Sequence, residues 1–269
     1  MIKLIKTEWI KISRNRIFWI TLAAYVVTII LILTGMRAAI NSINQNMSEA
    51  TSGMTILPAE IYRFPHVWHN LTFITKYIKF FIGILMILLV SNEFYYNTLR
   101  QNIITGMSRR DFIAAKFIDG LMLAFFATLL IFVFGLVAGI ITTKDISFHS
   151  IFAQIEFIPG YFLMLSVYLS FILMLSVILR KAVLTMGILF TYELIIENFL
   201  LWKLPDSIDR FLPVNAINGL IIAPRTKLFA MFHVKTASNG IDPVNIAISV
   251  GYMILFLWIS YKILNKRDL

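Results

Sequence analysis

The sequence predicts an all-α membrane protein. It should have six transmembrane helices, an N-terminal interfacial amphipathic helix, and short re-entrant or outer helices between spans five and six. Three observations predict this class. Of 269 residues, 59 % are hydrophobic and 14 % charged, whereas a soluble globular domain carries about 25 % charged residues. Mean hydropathy is +0.83, so polar side chains are too few to cover a water-facing surface, and the chain is too apolar to be disordered. The apolar residues also fall in runs of about twenty, the length a helix needs to cross a bilayer core. Cysteine is absent, which removes disulfides, thiolate metal sites and a catalytic thiol.

Residues 1–16 carry Ile2, Ile5, Trp9 and Ile12 on one helical stripe, with Lys3, Lys6, Lys11 and Arg14 on the other side. A basic helix with Trp on its apolar face lies in the membrane interface; an ordinary positive flank before the first span is the plainer alternative. The first span follows at 17–36, twenty residues without a charge. It exceeds the about 7–15 residues of a signal-peptide core, and no A-x-A site follows, so it reads as a retained helix. The second span covers about 72–92, with Lys76 and Lys79 in its first third. The third covers about 117–143 and includes Gly135 and Gly139, whose spacing permits close helix packing. The fourth covers 157–179. The fifth covers 182–202 and is interrupted by Glu193 and Glu197, and the sixth covers 243–262.

Charge placement orients these spans. Lys and Arg number fourteen in residues 1–16, 91–116, 180–181 and the segment after Tyr261, against nine in the opposite, longer loops, with Lys79 inside a span. The positive-inside bias puts both termini and the 91–116 loop in the cytoplasm. Spreading the basic residues in this way leaves no single basic face, so the net charge of +10 is no nucleic-acid signature.

Glu193 and Glu197 lie one turn apart on the fifth span. An ionised carboxylate near the midplane costs at least several kcal/mol unless paired or hydrated. Either both face the bundle, with Lys79 as a possible partner, or the fifth helix ends early and both are wet. Lys76 and Lys79 can also snorkel outward. The outer region 203–242 holds an apolar stretch, 211–224, with Pro213, Asn215, Asn218 and Pro224. Fourteen residues are too few to cross, and suit a re-entrant segment whose backbone is satisfied by protein or water. Leu228, Phe229, Met231 and Phe232 are compatible with a second outer helix over 225–235. His66, His69 and Glu60 lack a fixed third metal ligand, so the histidines read as interfacial polar residues and no metal site is expected.

The 91–116 loop is the most informative stretch. Gly106 breaks it, and Ser108 opens an S-x-x-D pattern with Asp111 that resembles a capping box. Lys116 and Asp119 follow at i, i+3. The first half, 93–104, can form a short helix on the cytoplasmic surface, either a docking surface for a soluble partner or a solvated connection.

On these residues the chain resembles a membrane subunit (permease) of an ABC-2 type ATP-binding-cassette transporter. The carrying features are the basic amphipathic 3–16 segment, Glu93 at the end of the second span, Asn97-Thr98-Leu99-Arg100, and Thr105-Gly106-Met107-Ser108-Arg109 leading to Lys116. The resemblance covers all six spans in order. It implies that the 93–104 helix, with Glu93, Asn97, Thr98, Arg100, Gly106, Ser108, Arg109 and Lys116, couples to a separate nucleotide-binding ATPase. It also implies two permease copies, alike or related, beside each other in a bacterial plasma membrane. The short helices between the last two spans would close the exit of an export path.

The chain has no G-x-x-x-x-G-K-[ST] loop; no Gly is followed by Lys. If ATP drives this protein, ATP and Mg must therefore be bound by a partner, and this chain is not expected to be an enzyme or to hold a cofactor. Two other readings remain open: an ion-coupled carrier using Glu193 and Glu197, and a non-transporting membrane anchor or sensor for an ATPase. The two three-span halves share no internal repeat, which disfavours an inverted-repeat carrier.

Overall fold

The computed structural model describes residues 16–50, 62–205, 209–224 and 240–266. The expected interfacial helix, apart from Arg16, and the outer helix over 225–235 lie outside the described residues. Those described form an all-α protein: α1 (Arg16–Ala50), α2 (Val67–Thr75), a 3₁₀ turn (Lys76–Ile78), α3 (Phe80–Tyr95), α4 (Thr98–Ile104), α5 (Arg109–Thr142) and α6 (Phe148–Phe152). Then come α7 (Phe157–Leu179), α8 (Ala182–Thr191), a π turn (Tyr192–Ile196), α9 (Glu197–Lys203), α10 (Pro213–Asn218) and α11 (Pro243–Lys266). Five helical segments are long and apolar enough to cross a membrane, or six when the bent α2–α3 pair is one span.

α7 is the hub. Tyr161, Leu165, Tyr168, Ile172 and Ser176 are all buried, and it packs against α11, α5, α3, α8, α2 and α10. Such a helix, apolar on every side, has protein neighbours on every side. α1 joins through Tyr25, whose hydroxyl lies 3.2 Å from that of Tyr161. Gly135 and Gly139 on α5 serve packing within the chain. A Cβ on Gly135 would come 2.7 Å from the Trp68 ring, and one on Gly139 would enter the Phe64 ring. Trp68 in turn stacks on Phe132, and its indole N–H donates to the Ile151 carbonyl at 2.7 Å.

Several elements differ from the sequence expectation, each for a physical reason. α1 continues past residue 36 to Ala50, because Arg37 and the polar residues after it include no proline or glycine to stop the ladder. The second helix begins at Val67 rather than 72, and bends by 48° between Val67–Ile78 and Phe80–Tyr95. The bend coincides with the 3₁₀ turn holding Lys76, which tightens the ladder as both lysines turn into the protein. The fifth span runs to Lys203, close to its expected bounds of 182–202, but through a π turn at Tyr192–Ile196 that no sequence pattern signalled.

Candidate functional site

At the end carrying the 91–116 loop, the chain builds a joint between α3, α4 and α5. α3 stops because Asn97 takes the left-handed conformation (φ 54°), which Asn tolerates better than most side chains. α4 then runs as a seven-residue helix, with Leu99 buried and Ile103 packed on the core. Tyr95, Tyr96, Arg100, Gln101 and Ile104 face outward; Tyr95 and Ile104 are each 77 % exposed. Gly106, at φ 103°, makes a reversal that a side chain rarely permits. Ser108 caps α5: its hydroxyl accepts from the Asp111 N–H at 3.1 Å and donates to the Asp111 carboxylate at 2.7 Å.

Glu93 and Lys116 have a different place from the one expected of docking residues. The helix on the surface begins at Thr98, while Glu93 is inside α3 and buried. Its carboxylate accepts from the Thr98 hydroxyl and lies 3.2 Å from the Lys116 ammonium, which also meets Asp119 at 3.3 Å. Lys116 and Asp119 are buried with it. These charges brace the joint from inside, where a partner protein cannot touch them.

Arg109 has partners that sequence reasoning missed. Its guanidinium donates to the carbonyls of Leu264 and Asn265 at 2.6 and 2.7 Å, capping the C-terminal turn of α11. Beside it Arg110 donates to the Tyr261 hydroxyl at 2.9 Å and lies over that ring at 5.2 Å. Residues 155 positions apart leave no local pattern, so no spacing signal could have found the contact.

At the other end, residues 213–224 fold back into the bundle, with Val214, Ala216, Ile217, Leu220, Ile221 and Ala223 buried. Pro213 opens α10, where its missing N–H costs nothing. The next N–H groups, of Val214 and Asn215, donate to the Glu197 carboxylate, the first at 3.1 Å. The segment's carbonyls are met in turn. Ser249 donates to Ala216 at 3.3 Å, Asn245 to Gly219 at 2.8 Å and Lys76 to Ile221 at 2.8 Å. His69 Nε2 lies 2.8 Å from the Ile222 carbonyl while its ring stacks on Phe157. Asn215 donates back to the Asp209 carbonyl at 2.7 Å. Pro224 ends the segment and is buried.

Lys79 is the centre of this cluster, 3 % exposed and 2.9 Å from Glu193. It also donates to the Asn218 side chain at 2.6 Å and sits over the Tyr168 ring, whose hydroxyl donates to Glu193 at 3.2 Å. Both lysines therefore point inward instead of snorkelling, and Glu197 is 2 % exposed. Two lysines and two glutamates leave the cluster formally neutral, as burial demands. Irregular backbone at membrane depth needs such internal partners, because lipid supplies none.

A family model described as ABC-2 family transporter protein matches residues 2–269. The chain belongs to the ABC-2 transporter family. No curated protein matches it. As an ABC-2 membrane permease it is a multi-pass, all-helical protein, and the family implies association with ATPase subunits. In this ABC-2 permease the motif residues of the 91–116 loop separate by position: Arg100 and Ser108 are exposed, whereas Glu93 and Lys116 are enclosed.

Proposed function

We propose that this permease is the membrane half of an ATP-driven exporter, taking force from a separate ATPase through α4. The observation that carries this reading is the shape of α4. It is a helix of about two turns, anchored by Leu99 and braced by the Glu93–Lys116–Asp119 cluster, presenting Arg100 and Ile104 to water beside Tyr95 and Tyr96 at the end of α3. Exposed aromatic and arginine side chains around an aliphatic one have the composition of an interface centre. Two permease copies with two ATPases would place the path between the copies, ATP and Mg being bound by the ATPases. The basic loops support cytoplasmic termini in a cell membrane. Nucleotide binding favours one arrangement of the ATPases, and the permease follows as the bistable element.

Glu193 and Glu197 support this reading over an ion-coupled carrier. Glu193 is engaged with Lys79 and Tyr168, and Glu197 with the α10 backbone, so Glu197 anchors the re-entrant segment while Glu193 holds the lysine that reaches Asn218. The test is the triple variant Tyr96→Ala, Arg100→Ala, Ile104→Ala. At about 1 kcal/mol per contact, ATPase affinity should fall about 100-fold while the permease stays folded and inserted. Unchanged association, measured by co-purification and by titration in detergent, refutes the docking role of α4.

A further inference from the structure

We infer that α11 is the rod that carries movement from the docking loop to the re-entrant segment, with Arg109 as its positioning residue at the cytoplasmic end. The inference rests on the α4 docking reading and names the route by which docking is felt across the membrane. Arg109 stands three residues past the Gly106 reversal, at the first position of α5, so a push on α4 reaches it through a turn and a capped helix start. Its guanidinium grips two of the last carbonyls of α11, and Arg110 holds Tyr261 one turn earlier. α11 then runs without a break for 24 residues, about 36 Å at 1.5 Å per residue, enough to cross the bilayer core.

At its far end the same helix holds the re-entrant segment at three points. Asn245 donates to Gly219, Ser249 to Ala216, and Tyr252 to the Phe211 carbonyl. These residues recur at intervals of four and three, so they form one face, and α11 packs directly on α10. An unbroken helix resists compression along its axis. Axial displacement at Leu264 therefore appears at Ser249, whereas α5, which shares the cytoplasmic contact, ends at Thr142 against Phe64 and Arg63 and touches a different part of the outer surface. Two side-chain grips on one rod thus join the two ends of the molecule.

The experiment uses the full-length permease, assembled with its ATPase in nanodiscs and carrying Ala216→Cys as the sole cysteine of a cysteine-free chain. The rate of maleimide labelling is measured with and without ATP. In the parent, ATP should change the rate by about 5- to 150-fold, the usual span of coupling between distant sites. Arg109→Ala should bring that ratio close to one while ATPase still co-purifies; Arg109→Lys, which keeps a single cationic donor, should restore part of it. Ile254→Gly with Leu255→Gly softens the lipid-facing middle of α11 and leaves both grips in place, so it should also flatten the ratio. The inference is overturned if ATPase binds and ATP alters labelling equally in parent and variants, or alters it in none. Failure of any ATPase to bind the parent is a separate result, and removes the docking reading beneath it.

Discussion

Glu197→Ala is the perturbation for which the structure gives the largest local consequence. Among the described residues the carboxylate is the acceptor for the N–H groups of Val214 and Asn215 at the start of α10, and Glu197 is 2 % exposed. Truncation leaves two donors inside the protein without a replacement. Each buried donor so stranded costs about 1–3 kcal/mol, so opening of the re-entrant segment becomes easier by about 2–6 kcal/mol. Even the lower figure corresponds to an opening equilibrium about 30-fold larger. Labelling of Ala216→Cys reads that equilibrium, since Ala216 is buried and the chain has no other cysteine. The expected result is at least about a 30-fold faster rate in Glu197→Ala, by the same conversion. Glu197→Gln, which keeps one carbonyl acceptor, should fall between it and the parent. A Glu197→Ala rate within about twofold of the parent, with the protein still monodisperse and helical, would refute the claim that this carboxylate holds the segment; twofold is only about 0.4 kcal/mol.

Two other substitutions test the packing and the joint. Lys116→Met leaves Glu93 and Asp119 buried without their common cation, and should destabilise the permease by about 3–5 kcal/mol; an unchanged thermal midpoint in detergent would contradict the bracing role. Gly139→Ala forces a methyl group into the Phe64 ring and should lower the midpoint, overpacking costing about 1–3 kcal/mol. Gly35→Ala is its contrast: nothing lies within 4 Å of the added Cβ, so it should be neutral or stabilising by up to about 1 kcal/mol. Equal effects of the two glycine changes would show that Phe64 does not fill the space beside α5.

The fold was legible because hydrocarbon imposes a length and a composition that any stretch of sequence displays directly. The α5 cap was legible for a related reason: Ser108 and Asp111 are three residues apart, and the geometry of a first turn is local. The pairing of Lys79 with Glu193 could be anticipated, since a carboxylate within a span demands a cation and few are at hand. Glu93 was harder to place. It stands in a polar stretch and so resembles a surface residue, yet its partner Lys116 is on the next long helix. The available signal was two opposite charges at the membrane ends of adjacent helices. The partners of Glu197 carried no signal at all, because they are backbone N–H groups, which every residue but proline possesses. The grip of Arg109 on α11 is hidden likewise, since its acceptors are carbonyls.

The neutral cluster around Lys79 has a consequence for biosynthesis. Lys76 and Lys79 emerge from the ribosome more than a hundred residues before Glu193 and Glu197. At about 5–20 residues per second, that is a wait on the order of ten seconds. During it, the Lys79 ammonium has neither Glu193 nor the Asn218 side chain, and that of Lys76 lacks the Ile221 carbonyl. The bent α2–α3 span therefore has reason to remain near the headgroups, or within the insertion machinery, until the fifth span arrives. The last elements to be made, α9 through α11, are those that complete the burial of a helix made far earlier.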